Sequence, residues 1–302
     1  MRSYPLVSLI VVSYNSAAQL PAFFRALDQT RYQPYEVLVV DNASTDGSAA
    51  LVAREHGRAR LLASAENLGF GRACNQGARA AGGELLVFMN ADVAVTPDWL
   101  SILVRHMAEQ PEAAIICPQT LEPDEQPPTF ERSGVAATAA VPGCALMIRR
   151  AAWEALGGFD EQYFLYWEDT DLCWRAWLLG WRVLEDLEAC VYHERGGSAG
   201  GQRWDAERAK NGLRTYLKTM RWRRAAPFTA LLAAKTLAKI ALRRERGMIA
   251  AWAWNWRNLG ETLARRREMA RRRRIDPAEL ERLVAIHERR GRAARRSRRL
   301  VS

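Results

Sequence analysis

The run Val7-Ser8-Leu9-Ile10-Val11-Val12 has no wet face, as expected of a parallel strand covered on both sides. Residues 16–27 follow with helical spacing, and residues 36–40 repeat the buried-strand pattern. Ser44-Thr45-Asp46 supplies caps for a helix reaching Arg54. Residues 60–63 then read as a short strand, 72–81 as a helix, and 84–89 as a strand that delivers Asp92. This β-α-β-α alternation predicts a parallel sheet with right-handed crossovers.

The pattern continues with a helix over 99–109, a strand over 113–117 and a proline- and acid-rich loop over 118–133. A strand over 141–148 and a helix over 151–156, closed by Gly157-Gly158, come next. Residues 168–179 form a helix that Gly180 ends, and 182–193 form the last strand. The glycine-rich stretch 196–201 reads as a hinge. Beyond it the spacing is helical over 203–222, 227–244, 247–274 and 277–299.

Charge divides at the same hinge. Residues 1–202 carry 15 basic and 25 acidic side chains and no lysine, whereas 203–302 carry 29 basic and 9 acidic, giving +10 overall. The domains expected are therefore an α/β domain over 1–202 and a basic, amphipathic helical region over 203–302. Trp252, Trp254 and Trp256 stand among Met248, Ile249, Leu259 and Leu263 ahead of arginine clusters, a composition suited to the headgroup region of an anionic membrane. Nucleic acid is the competing partner for so many cations, but it leaves the acidic first region without a role. The five cysteines show no Cys-x-x-Cys spacing, so neither a disulfide framework nor a zinc site is indicated, and a reducing compartment is expected. The N-terminus lacks the pattern of a secretory signal, and no segment reaches the length of an uncharged membrane span.

Candidate chemistry lies at strand ends. Asp92 and Asp41 are both delivered to the sheet edge where an open α/β sheet holds its ligand. Asp92 either contributes a carboxylate oxygen to a divalent cation or caps the turn before Pro97. Asp41 either accepts from a base or ribose, or forms an ordinary Asx turn. Gly69-Phe70-Gly71-Arg72 opens a helix with free N–H groups and a guanidinium, suited to phosphate oxygens. A dehydrogenase would place such glycines in the first βα turn, which here is Ser13-Tyr14-Asn15-Ser16. Glu168-Asp169-Thr170-Asp171 starts a helix, where the macrodipole accounts for one or two acids; three acids call for a cation or polar substrate, and one could serve as general base. His193 ends the last strand as either a structural donor or a metal ligand.

Six ordered blocks carry a resemblance. Val11-Val12-Ser13-Tyr14-Asn15, Asp41-Asn42-Ala43-Ser44-Thr45-Asp46-Gly47, Glu66-Asn67-Leu68-Gly69-Phe70, Asn90-Ala91-Asp92, Gly157-Gly158-Phe159-Asp160-Glu161 and Trp167-Glu168-Asp169-Thr170-Asp171 together resemble the glycosyltransferase family 2 enzymes, especially the rhamnosyltransferase-like branch. The resemblance covers about the first 200 residues. It implies a GT-A fold, with a Rossmann-like, mostly parallel sheet flanked by helices. It also implies inverting transfer from a nucleotide-sugar donor, dTDP-rhamnose above all, to a glycan or lipid-linked acceptor in cell-envelope polysaccharide synthesis.

In the implied assignment Tyr14, Asn15, Asp41, Asn67, Arg72, Asn90, Ala91 and Asp92 contact the nucleotide-sugar. Asp169 is the catalytic base, Trp167 and Glu168 lie on the acceptor side, and Asp92 with His193 holds a divalent metal, Mg²⁺ or Mn²⁺. Asn90 departs from the family's Asp-x-Asp motif, which lowers the charge available to that metal. The expected location is the cytoplasm, peripheral to the inner face of the membrane. The alternatives are a UDP- or GDP-sugar donor, or a non-catalytic protein that binds membrane or nucleic acid.

Overall fold

The computed structural model describes residues 4–55, 57–126, 133–194, 204–241 and 247–301, the side chains of 290–301 excepted. Its first half is β1 (Val7–Ser13), α1 (Leu20–Leu27), β2 (Tyr35–Asp41), α2 (Ser48–Glu55), β3 (Ala59–Ala63), α3 (Phe70–Ala80) and β4 (Leu85–Asn90). The strands lie in the order β3-β2-β1-β4, all parallel, with Val11 paired to Val39 on one side and Met89 on the other. The helix expected from residue 16 begins only at Leu20. The backbone N–H groups of Ser16 and Ala17 are instead taken by Ser48 Oγ and Asp46 Oδ2, at 2.9 and 2.8 Å, which holds that stretch as a loop.

The second half adds β5 (Val93–Val95), α4 (Trp99–Glu109), β6 (Ala113–Leu121), β7 (Val135–Ala137), β8 (Ala145–Arg149), α5 (Arg150–Leu156), α6 (Glu168–Leu178) and β9 (Arg182–His193). These strands extend the sheet as β4-β8-β6-β9-β5, with β7 on β9. Here the sheet is mixed: β8 runs antiparallel to both β4 and β6, while β6 and β9 are parallel. A parallel pair needs a crossover, and no helix is described between β6 and β8. β6 also runs beyond Cys117 into the expected loop, because a bulge between Cys117 and Gln119 accommodates Pro118, which has no N–H for the ladder. The rest of that loop lies partly, and the glycine-rich hinge wholly, outside the described residues.

Strand alternation divides the core into two layers. Leu9 and Val11 pack with Phe23, Phe24, Trp99 and Leu103 on one face, while Ile10, Phe88 and Leu146 pack with Phe159, Leu172 and Trp174 on the other. Each such side chain, fully buried, contributes about 1.5–3 kcal/mol.

The C-terminal helices are α7 (Asp205–Thr219), α8 (Trp222–Ala241), α9 (Gly247–Arg257), α10 (Leu259–Arg272) and α11 (Pro277–Val301). α8 begins ahead of Pro227 and contains it, and the helix expected over 247–274 divides at Asn258. Tyr216, Leu280 and Val284 from these helices join the second core layer. Lys218 Nζ sits 2.5 Å from Asp160 Oδ2 and 2.6 Å from Asp171 Oδ1, and the fully buried Arg214 reaches Asp160 and Glu261. The basic region thus supplies counter-ions for acids of the first region. Two of the three expected surface tryptophans also turn inward: Trp252 donates to Thr236 Oγ1 at 3.0 Å, and Trp254 lies beneath Lys210 and Arg214.

Candidate active site

Three loops meet at the C-terminal ends of the parallel strands. After β1, Tyr14 is exposed and Asn15 adopts a left-handed φ of 50°. Asn15 N donates to Ser44 Oγ at 2.9 Å, and Asn15 Oδ1 accepts from Thr45 N at 2.9 Å, so this side chain laces the first loop to the second. Asp41, at the end of β2, is 3% exposed. Its Oδ2 accepts from Ser44 N at 3.0 Å, while Oδ1 is buried without a hydrogen bond. A buried acceptor left open beside a cleft is suited to a ligand N–H or hydroxyl.

Asn67 shapes the third loop. Its Oδ1 accepts from Asn42 Nδ2 and from Gly69 N, both at 2.9 Å, while Asn42 Oδ1 accepts from Leu68 N at 2.8 Å. Asn42 is therefore a positioning residue that the sequence showed only as part of a turn. Gly69, at φ 75°, lets the chain approach Phe164, whose carbonyl accepts from Phe70 N at 2.9 Å. Arg72, in the first turn of α3, is exposed beside a groove of about 400 Å³ that Ser64, Glu66, Leu68 and Gln76 also line. A second cavity of about 450 Å³, bounded by Trp153, Phe159 and Met269, contains none of the candidate residues.

The β4 end carries the metal candidates. Asn90 ends the strand and Asp92 lies in the tight turn to β5, a strand of three residues too short for periodicity to reveal. β5 pairs antiparallel with β9 so that Val93 faces His193. That register brings His193 Nε2 to 3.2 Å from Asp92 Oδ1 and 3.2 Å from Asn90 Nδ2. Asp92 Oδ1 is buried, with the His193 ring nitrogen against it.

A carboxylate oxygen and an imidazole nitrogen converging on one point fit a divalent cation, with its remaining positions left for diphosphate oxygens. Among the described residues, no group of three His, Cys, Asp or Glu side chains gathers to hold such an ion alone.

Asp169 enters from the start of α6. Gly143 N donates to its Oδ2 at 3.1 Å and Thr170 N to its Oδ1 at 2.5 Å. The next carbonyl along, that of Cys144, accepts from Asn90 N at 3.1 Å, so two consecutive residues ahead of β8 hold the base candidate and the metal motif together. The Pro142-Gly143 turn signal was the only trace of this in the sequence.

Burial raises the Asp169 carboxyl above the ordinary value, against the hydrogen bonds from Thr170 and Gly143. Burial, followed by the Asp169 charge, pushes Glu168 up to about 8, and Glu168 Oε2 is buried without a hydrogen bond. Asp171 has a different part, since Arg175 Nε at 2.7 Å and Lys218 neutralise it inside the fold. The Trp167 ring packs against Gly212 and edge-on to Trp174, Tyr216 and Phe228. Tyr166 and Trp167, both left-handed, turn the chain into the start of α6.

The chain is similar to known proteins in sequence and in fold. The family described as Glycosyl transferase family 2 matches residues 8–187. The N-acetylglucosaminyl-diphospho-decaprenol L-rhamnosyltransferase of Mycobacterium tuberculosis (strain CDC 1551 / Oshkosh) is 27% identical over 239 residues, spanning 65% of this chain and 78% of that protein. The O-antigen biosynthesis protein RfbC of Myxococcus xanthus is 28% identical over 232 residues, 66% of this chain but 18% of its own length.

Among solved structures, the mannosyltransferase PcManGT from Pyrobaculum calidifontis, in complex with GDP-Man and Mn²⁺, superposes with a TM-score of 0.59 at 22% identity, covering 95% of this chain and 88% of that one. The S. aureus TarS 1-349 structure with UDP gives 0.58 at 16% identity, covering 82% and 77%. The shared architecture is the GT-A fold.

Proposed function

The chain belongs to glycosyl transferase family 2, and on that premise we propose that it moves a sugar from a nucleoside diphosphate to a glycan or lipid-linked acceptor, with inversion, in cell-envelope polysaccharide synthesis. The proposed donor is dTDP-rhamnose, a reading supported by the likeness to a mycobacterial rhamnosyltransferase. One observation carries the reading: Gly143 and Cys144 tie Asp169 and Asn90 together at the strand ends where Asp41 keeps a buried, unsatisfied oxygen and Asp92 faces His193.

In this mechanism Asp41 accepts from the nucleoside and exposed Tyr14 lies along it, while Arg72 offers its guanidinium to the diphosphate. Asp92 and His193 would hold a divalent cation, which supplies charge stabilisation for the departing diphosphate. Asp169 takes the proton from the acceptor hydroxyl as that oxygen attacks the anomeric carbon opposite the leaving group. The proton ends on Asp169 Oδ1 or Oδ2, the glycosidic bond forms, and the bond to the diphosphate oxygen breaks. Glu168, pushed toward its neutral form by burial and by the Asp169 charge, can donate a hydrogen bond to the acceptor without repelling the ionised base. Residues 1–202 would hold the donor-side chemistry and 203–302 the acceptor and membrane side, at the inner face of the cytoplasmic membrane.

The test is nucleoside diphosphate release from dTDP-, UDP- and GDP-sugars, with Mg²⁺, Mn²⁺ or chelator, by the intact protein and by D92A. Turnover of one donor that chelator and D92A both suppress supports the mechanism. Absence of both turnover and nucleotide binding, with acceptor extract present, would point to a non-catalytic protein.

A further inference from the structure

Helix α8 carries its polarity reversed. Its inner side holds Thr236, whose Oγ1 accepts from Trp252 Nε1, and Lys239, which reaches Asp205 at 2.5 Å. Phe228, also inward, stacks on Tyr216. The outer side exposes Ala230, Leu231, Ala234, Leu237, Ala238 and Ala241, spaced i, i+1, i+4, i+7, i+8 and i+11 on one face. Leu231 is 55% and Leu237 67% exposed. α9 packs alongside and adds exposed Ile249 and Trp256, the latter 79% exposed. Monomeric soluble proteins seldom present a contiguous apolar strip of this kind to water.

The charged side chains borne by α8 and α9 themselves have one sign. Neither α8 nor α9 contains an aspartate or glutamate, whereas Arg223, Lys235 and Arg257 are exposed on them. A second copy placed on this face would bring like charges together, while a bilayer with anionic headgroups would complement them. The 20 residues of α8 are about 30 Å long, yet no described helix is long and apolar enough to cross a membrane. An amphipathic helix with those properties lies in the plane of the interface.

We propose that the outer face of α8, continued by Ile249 and Trp256 of α9, is a docking surface for an anionic lipid bilayer. The apolar side chains enter the acyl boundary and Trp256 sits at headgroup level. Arg223, Lys235 and Arg257 meet lipid phosphates at the rim. The proposal deepens the reading of a membrane-side acceptor and rests on that reading for its biological role. The physical contact, however, is independent of any sugar donor.

The experiment is co-sedimentation of the full-length protein with vesicles of phosphatidylcholine alone or mixed with phosphatidylglycerol. It compares wild type, the double variant L231E/L237E, and K235E/R257E. Because the four positions are solvent-exposed, circular dichroism and nucleotide binding in solution should be unchanged, which separates this test from the donor chemistry. Wild type is expected to pellet with the mixed vesicles, and each double variant to lose roughly tenfold or more in partitioning. Pelleting that both variants retain, or that wild type never shows, overturns the proposal. Self-association of wild type that L231E/L237E disperses, in place of vesicle binding, would assign the face to a second copy and overturn it equally.

Discussion

Gly143 donates its backbone N–H to Asp169 Oδ2 at 3.1 Å while Thr170 donates to Oδ1, so both oxygens of the proposed base are held and the lone pair still open on Oδ2 is the one available to a substrate proton. Because this donor belongs to the main chain, side-chain exchange at position 143 does not remove it. An added Cβ would crowd the Phe70 ring at 3.3 Å and meet Asp169 at ordinary contact distance. Replacing Asp169 by Asn keeps the shape and the bond from Gly143 but removes the basic oxygen. Transfer by D169N should fall about 10²–10⁴-fold with nucleotide affinity nearly unchanged, read by product formation and calorimetric titration. Full activity would remove the base assignment.

The paired acids give transfer a two-part pH dependence. Activity should rise with pH through the raised Asp169 pKa, since the base must lose its proton, so the acid limb lies above pH 3.8. E168Q mimics neutral Glu168, so it should keep that limb and abolish any further change near pH 8. A pH–rate profile checks both.

Stability follows from the same raised value. Between the ordinary 4.5 and about 8, folded Glu168 holds a proton that the unfolded chain has released. The native state then binds more protons than the unfolded one, and this contribution to stability is lost as pH rises through that window. Thermal unfolding should show E168Q more stable than wild type at pH 9 and equal to it near pH 4.

Gly69→Ala tests the loop that carries Asn67. The position is left-handed at φ 75°, and a Cβ there would drive into the Phe164 carbonyl that receives Phe70 N. A loss of about 2 kcal/mol or more is expected in denaturant melts, accompanied by weaker nucleotide binding, because Arg72 follows on the same turn.

Lys218→Met removes the cation between Asp160 and Asp171, both largely buried. Burial works against the charge of Asp160, but Lys218 and Arg214 outweigh it and hold its carboxyl well below the usual range. In wild type that stabilisation is present above pH 3.8 and lost as pH falls through the depressed value. The variant should lose about 3–5 kcal/mol at neutral pH and be less sensitive to acid than wild type, as judged by urea midpoints at pH 7 and at about pH 2.5.

What could be read from the chain was set by length and continuity. β1, β2 and β4 are unbroken apolar runs, and the residues that close them, Asp41 and Asn90, follow directly. α4 and β9 run over the expected residues because each has clean ends. The three-residue β5 was invisible to periodicity, and with it the register that sets His193 against Asp92. Asp171 has one neutralising partner within local reach, Arg175 a turn further along the same helix, but its second, Lys218, lies 47 positions further along the chain, a separation no local pattern spans. The tryptophans of α9 suggested a membrane stripe, yet Trp252 and Trp254 found partners on α8 and α7, leaving the apolar outer face to α8.

The ion lattice of Asp160, Asp171, Arg214, Lys218 and Glu261 bears on how this architecture can be recombined. Swapping the C-terminal helices for those of a relative would take both cations from Asp160 and leave Asp171 to Arg175 alone, unless the incoming segment brings a matching lysine and arginine. The first region and its helices are therefore inherited as a matched set, and a successful chimera would carry its seam through the helix faces on both sides of Asp160 together.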